Sequence, residues 1–512
     1  MVFYYGKLFE LDGLFLYMKV IKEVIVAANE IGLFVRVCVS DMGAANRDLW
    51  KHVGITSTRT ALQTSILHPC KPAQRLYFMA DVPHLLKSIR NCLLTQSIIL
   101  PDSVVCSANL TSNVVSLQPV KDLISMQDSM ALKMAHKLKD VHVNPGNFQK
   151  MKVSYAAQVL SHSTASALKF CVDRKVMPSA ALTTAWFLEL INRWFDNLNA
   201  RYALPSLFAS STVKIEELNF VTELFHDLHF SGQDTWKPIQ TGVRLSTQAA
   251  LDLYRDLVVN GTYKFLMTGR LTQDCVENLF SQIRAKGDSH PSPVHFRHAI
   301  RLISISQFMH VSQNSSYEND DGVPFLDFIK SKSSDTRHIS NDDEDDVELD
   351  RVCETVLPLS ECESSALYTV AGWAVFKEKS ANACQVCLAS IVGDAGSVPQ
   401  HSQLTTIKSF EAGGGLTHPS LPMWQAIVAA ESIFRCNEDR LTKIDNVKKF
   451  LLDSFESQVP LSDFPACHSI ALKVVSRYLR LRLHIHAAQI TRKFASSTQF
   501  ASRSAHCRTA VT

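Results

Sequence analysis

Asp274 and Glu277, in the run TQDCVENLFSQIR (272–284), place two carboxylates three residues apart. On a helix such residues are neighbours on one face, so both can reach a single divalent cation or the cation of a bound phosphate. An exposed helix face carries the same pair for solubility alone, so further acids must join them before the spacing implies a site. Two upstream segments supply candidates. Phe34–Ser40 is a β-branched run that ends in Asp41 and a turn with Gly43, which predicts a buried strand with a carboxylate at its carboxyl end. Leu76–Ala80 ends likewise in Asp81, ahead of a helix begun by Pro83 that carries Lys87 and Arg90. Open α/β sheets collect ligands and metals at the carboxyl ends of their strands. Strand acids joined by a later helical acid are a donor set that can hold two magnesium ions for phosphoryl transfer.

Several elements have to position such residues. With 512 residues, 46% of them hydrophobic, the chain exceeds what one core supports, and about two to four domains are expected. Thirteen scattered cysteines form no secreted disulfide framework and fit reduced thiols in the nucleus or cytosol. Lys7, Glu10 and Asp12 interrupt the apolar start, and no run reaches the ~20 residues of a membrane span. Neither a signal peptide nor an anchor is expected. The net charge of +3 conceals an asymmetry, because Asn341–Asp350 reads NDDEDDVELD while no acid follows Asp463. The acidic run marks a solvated linker between domains. Lys473, Arg477, Arg480, Arg482, Arg492, Lys493, Arg503 and Arg508 accompany an apolar-rich stretch. Two uses stay open for it, a surface for DNA phosphates or a core helix with a charged outer face.

Five stretches carry a family resemblance: SDMGAANRDLWKHVGI (40–55), FMADVPHLLKSIRNCLL (78–94), INRWFDNLNAR (191–201), TQDCVENLFSQIRAKG (272–287) and VAGWAVFKEKSANACQVCLASI (370–391). In these, over nearly its whole length, the sequence resembles the P-element transposase family, which includes the THAP-domain-bearing transposases and their domesticated relatives. The resemblance implies an α/β fold: an RNase H-like core, interrupted by an all-helical GTP-binding insertion domain and followed by a mainly helical C-terminal domain. The implied boundaries are 1–117 for the first part of the core, 118–265 for the insertion, 266–312 for the catalytic helix, 313–350 for the acidic linker and 351–512 for the C-terminal domain. Met1–Tyr5 looks like a later strand of the core, followed by a helix from roughly Leu14 to Ile31, so the family's zinc finger and first catalytic strand are expected to be missing. Asp41 and Glu277 then correspond to the second and third metal ligands. A chain short of the first is expected to be a poor nuclease.

Gln118–Phe265 reads as a long helical stretch, with apolar residues at helical spacing on both sides of Pro145–Gly146. Onto it the resemblance carries the family's nucleotide site: Lys137 and Lys152 near phosphates and base, Val153 and Ser161 beside them, and Asn192 and Asp196 one helical turn apart. A carboxylate accepts from guanine N1–H and its amino group, and an amide donates to O6. A lysine suits phosphate as a compact charge. Asp274 is implied as the link between nucleotide-bound magnesium and the catalytic helix, so that Asp41, Asp274 and Glu277 together make the metal set. No GxxxxGK[ST] occurs, which excludes a P-loop, and the resemblance implies GTP as a structural cofactor rather than a substrate. Trp186, Phe187, Trp194 and Phe195 read as core.

Cys384 and Cys387 form a CxxC, with Cys467–His468 and then His484 and His486 far downstream. A CxxC is a common half of a zinc site, but the second half lacks standard spacing, so structural zinc stays open beside the default of a helix-turn pair of buried thiols. Two functions follow from the resemblance. The first is a P-element-type DNA transposase: cut-and-paste DNA transposition in the nucleus, with GTP and Mg2+ as cofactors, transposon-end DNA as partner, a homo-oligomeric state and no membrane. The second is a domesticated, non-catalytic GTP- and DNA-associated regulatory or interaction protein.

Overall fold

The computed structural model describes residues 11–232, 235–285, 291–309, 359–381, 384–409 and 415–509. The strand expected at Met1–Tyr5 and the acidic linker lie outside the described residues, as do the side chains of Arg492, Lys493, Arg503 and Arg508. The chain divides into two compact units, residues 1–272 with 353–512, and residues 273–352.

The first unit opens with α1 (Leu11–Glu30), β1 (Val37–Ser40), α2 (Ala44–His52), the hairpin of β2 (Thr56–Ser57) and β3 (Leu62–Gln63), then β4 (Ser65–His68) and β5 (Lys71–Ala80). The sheet has the order β1-β5-β4, with β1 parallel and β4 antiparallel to β5. Leu76–Ala80 are buried without alternation, as in a strand covered on both faces. In β1 the register sets Ser40 beside Ala80, so Asp41 and Asp81 leave the sheet at the carboxyl ends of adjacent parallel strands. Asp81 then starts α3 (Val82–Thr95): its Oδ2 accepts from the His84 N–H at 3.0 Å, and Pro83 sits in the first turn, where its missing N–H costs nothing.

Helices follow: α4 (Asp102–Ser107), α5 (Gln118–Gln127), α6 (Asp140–Val143), α7 (Val153–Val159), α8 (His162–Asp173), α9 (Ala181–Leu198), α10 (Thr212–Asp227) and α11 (Pro238–Tyr254). Phe187 and Trp194 are buried and Trp186 and Phe195 pack against the core, as expected for these aromatics. The Trp194 indole satisfies its N–H on Thr247 Oγ1 at 2.9 Å, which joins α9 to α11. In turn α11 packs on β5 and α3. Its Ser246 hydroxyl meets both backbone groups of Ala80, accepting from the N–H at 2.9 Å and donating to the carbonyl at 2.8 Å, and thereby pins the end of β5 next to Asp81. Close approach is possible because position 242 is glycine. A Cβ there would lie 2.4 Å from Leu85 Cδ2 and 3.1 Å from Met42 Sδ. Gly242→Ala is therefore expected to cost about 1–3 kcal/mol by overpacking, read as a lower denaturant midpoint at unchanged slope.

The second unit contains α12 (Asp274–Ala285) and α13 (Pro293–Met309), which pair through Phe280, Ile283, Phe296, Ala299, Ile300 and Ile303. The first unit resumes with α14 (Glu361–Ala381), α15 (Gln385–Ile391), α16 (Pro399–Lys408), α17 (Leu421–Asn437), α18 (Val447–Gln458) and α19 (Ile470–Thr509). Its α14 packs on α16, α17 and α19, and α16 packs on α8. Along α19, Val474, Val475, Tyr478 and Leu479 are buried, and two of the basic residues turn inward. Arg477 pairs with Glu378 and Arg482 with Glu431, while Lys473 and Arg480 stay exposed. The first turns of α19 are thus a core helix with a charged outer face. No described helix is long and apolar enough to cross a membrane.

Candidate functional site

Asp41 is held in a tight turn. Its Oδ1 accepts from the Gly43 N–H at 2.8 Å and from Asn46 Nδ2 at 2.7 Å, so both bonds fall on one oxygen. Oδ2 has no partner among the described residues, and the carboxylate is half-buried. A carboxylate oriented through one oxygen and open at the other suits a hard cation. Gly43 is required by that closeness, since a Cβ there would lie 2.8 Å from Oδ1. Asp81 differs. It is 1% exposed and consumed as the cap of α3, so the neighbouring strand-end acid serves the fold.

Around α8 and α9 the nucleotide-site residues fall into a connected row. Ser161 caps α8, accepting from the Thr164 N–H at 3.2 Å. The next residue, His162, donates its backbone N–H to Asn192 Oδ1 at 3.2 Å, and Asn192 Nδ2 donates to Asp196 Oδ2 at 2.7 Å. This fixes which way the Asn192 amide points. Asp196 is exposed, and partial desolvation by the surrounding protein raises its carboxyl above its ordinary range, against the lowering by Asn192 and His162.

Beside the row stands a basic corner. Lys408, at the end of α16, donates to the Met134 carbonyl, and its own carbonyl meets His162 Nε2 at 3.2 Å. Burial brings the Lys408 ammonium down to about 8. Burial, then the charges of Lys408 and Lys137, hold the His136 imidazole low. Lys152 is exposed at the start of α7, its ammonium 5.1 Å from the Tyr155 ring centre, and Val153 packs against the core behind it. The backbone leading to Lys152 is held by buried Arg90 of α3, which donates to the carbonyls of His142 at 3.1 Å and Lys150 at 3.2 Å.

Glu189, one turn before Asn192, ties these helices together through Lys169, through His162 Nδ1 at 3.4 Å and through Arg193 at 3.5 Å. Burial raises its carboxyl, but hydrogen bonds from His162 and Lys169 outweigh it and hold it at about 2. A depressed carboxylate contributes stability above its unfolded value of about 4.3 and loses it as pH falls through the folded value. Glu189→Gln is accordingly expected to be less stable than the parent at neutral pH. In urea unfolding the difference should shrink as pH drops below about 4.

Asp274 and Glu277 both lie in the first turn of α12 in the second unit, Asp274 half-buried and Glu277 exposed. Acids in that position are favoured by the helix dipole whatever else they do. Sequence reasoning missed Asn46 as the clamp on Asp41, His162 as the bridge into Asn192, and Lys408, which comes from the C-terminal part. Of these, only Asn46 carries a local signal, standing five residues after the strand-end acid.

Residues 83–210 match the model of the TNP-like, GTP-binding insertion domain, and residues 358–469 match that of the DNA transposase THAP9, C-terminal domain. Lys137, Lys152, Val153, Ser161, Asn192 and Asp196 fall inside the first match. Among curated proteins, the Transposable element P transposase of Drosophila melanogaster is 25% identical over 308 residues, covering 58% of this chain and 39% of that protein. The DNA transposase THAP9 of Homo sapiens is 26% identical over 188 residues, covering 36% of this chain and 20% of that protein. The chain thus spans less than half the length of the curated relatives it matches. Among solved structures, the Drosophila P element transposase strand transfer complex matches 57% of this chain and 65% of its own at 24% identity and a TM-score of 0.51, a likeness of fold. By these matches, the chain is similar to P-element transposases over its insertion-domain and C-terminal stretches.

Proposed function

We propose that this chain is a P-element-type transposase polypeptide that works in cut-and-paste DNA transposition, with GTP bound and not hydrolysed between α7, α8 and α9. The observation that carries the reading is the insertion-domain match over 83–210, inside which Ser161, Asn192 and Asp196 form one bonded row beside Lys408, whose carbonyl meets His162. Asp196 would accept from guanine N1–H and the amino group, and Asn192 would donate to O6. Lys137 and Lys152 would meet the phosphates as point charges.

Around this pocket, an RNase H-like core is the reading for the β1-β5-β4 sheet, with Asp41 at its edge. Mg2+, the nucleus as location and transposon-end DNA as partner belong to the same proposal. Asp41 with its open oxygen, Asp274 and Glu277 are each candidate magnesium ligands, and the metal would supply charge neutralisation at a phosphate. The second reading is a GTP- and DNA-associated protein that does not cut.

Calorimetric titration of GTP, GDP and ATP into the 512-residue chain with Mg2+ tests the nucleotide half. Saturable GTP binding without phosphate release is expected. Equal heats for GTP and ATP, or none, would remove the reading. Incubation with labelled transposon-end DNA separates cutting from binding alone.

A further inference from the structure

Cys384, Cys387, Cys467 and His468 come together where α15 meets the turn between α18 and α19. Cys384 is the residue that starts α15, and Cys387 lies buried in its first turn. Cys467 and His468 precede α19 and are followed by Ser469 in the left-handed region at φ 47°, an uncommon conformation for a residue with a Cβ. The four ligand atoms all lie within 4.8 Å of one another. Cys387 Sγ is 3.3 Å from Cys467 Sγ and 3.4 Å from His468 Nδ1, and His468 Nδ1 is 3.1 Å from Cys467 Sγ. A tetrahedral zinc with bonds of ~2.3 Å to sulfur and ~2.0 Å to nitrogen sets its ligand atoms about 3.5–3.8 Å apart. These three separations are about 0.1–0.5 Å shorter than the corresponding tetrahedral edges. They are also far longer than the ~2.05 Å of a disulfide.

We propose that these four residues hold one zinc ion that ties the start of α15 to the α18–α19 turn. Three thiolates and a neutral imidazole make a closed four-ligand set, with no position left for substrate, which is the pattern of a structural site. Soft sulfur donors select zinc over magnesium or calcium, so this site is chemically separate from the carboxylates of the candidate DNA-cleaving centre. Ion and ligands carry one net negative charge, and binding releases the thiol protons. Two segments eighty residues apart are thereby joined at the edge of a helical region that has few strands to brace it. Within this region His486 is already engaged by Glu438 at 2.9 Å.

The 512-residue chain, purified under reducing conditions, is expected to carry one equivalent of zinc by elemental mass spectrometry. Cobalt exchanged into it should give the visible bands of a tetrahedral ion and the near-ultraviolet thiolate charge transfer. Cys467→Ser and His468→Ala should each weaken cobalt binding at least about 10–100-fold, while His484→Ala should not. If the variants fail to fold, the parent chain still decides: chelation should remove the metal, lower the melting temperature and abolish the cobalt spectrum, all reversed by added zinc. Metal-free reduced parent protein with only a weak octahedral cobalt spectrum, or a Cys387–Cys467 disulfide in place of the metal, overturns the site. Neither result touches the GTP reading.

Discussion

Glu431→Ala is expected to destabilise the C-terminal part of the first unit by about 3–5 kcal/mol, because removing one member of a buried ion pair strands the others. Glu431 is 1% exposed and gathers three donors: Arg435 Nε at 2.7 Å, Arg482 Nε at 3.1 Å and the Tyr478 hydroxyl. Arg435 continues to Glu363, whose Oε1 also accepts from the Ala131 N–H at 3.1 Å, so one carboxylate–guanidinium chain joins α14, α17 and α19. Two acids balance two guanidiniums. Arg482 has little else to turn to, since Nη1 and Nη2 have no hydrogen-bond partner among the described residues and its guanidinium stacks 4.1 Å from the Phe434 ring centre. Burial, then Glu431, push the Tyr478 phenol well above its ordinary value, so it stays a proton donor. Denaturation followed by intrinsic fluorescence, with Trp424 7% exposed on α17, reads the effect. A loss under about 1 kcal/mol would mean that water replaces the carboxylate. Arg482→Met in the Glu431→Ala background should recover part of the loss, because the two changes share one interaction and cannot add.

That network also explains what the sequence hid. Arg482 stands in a basic stretch that reads equally well as a DNA-facing surface, and nothing in its neighbours says which helical face meets Glu431 fifty-one positions earlier. The strand ending at Asp41 and the helices begun by Asp81 and at Asp274 were legible, because apolar runs, Pro and acidic starts act through the next few residues. Ser246 on Ala80, Asn192 against His162, and Lys408 in the basic corner join positions thirty to nearly three hundred apart, and no local pattern encodes them. The Cys384–Cys387 half-site was visible as CxxC. Its partner was not, because three helices separate Cys467–His468 from it and the spacing belongs to the fold rather than to a compact module.

Asp196→Asn should weaken GTP binding about 10- to 100-fold and collapse the preference for GTP over ATP, in line with the loss of hydrogen bonds to a charged acceptor. The orientation of Asn192 makes the argument specific. Its Oδ1 is occupied by the His162 N–H and one Nδ2 proton by Asp196 Oδ2, which leaves the second Nδ2 proton for guanine O6 and the Asp196 carboxylate as acceptor for N1–H and the amino group. An amide at 196 can turn its NH2 outward, where it repels guanine N1–H but donates to adenine N1, so the variant should gain ATP while it loses GTP. Partial desolvation raises the exposed Asp196 carboxyl, so the GTP affinity of the parent should fall as pH drops from neutral towards the carboxylate range, and the Asn192–Asp196 pair should lose its charge-assisted bond as that carboxyl protonates. The Asn variant has nothing there to titrate, and its GTP affinity should stay level across it. Calorimetry with both nucleotides, at matched Mg2+ and several pH values, separates the outcomes. An unchanged GTP-to-ATP ratio, or a pH dependence shared by parent and variant, would assign base recognition to other side chains and leave Asp196 as a helix-surface acid bonded to its neighbour.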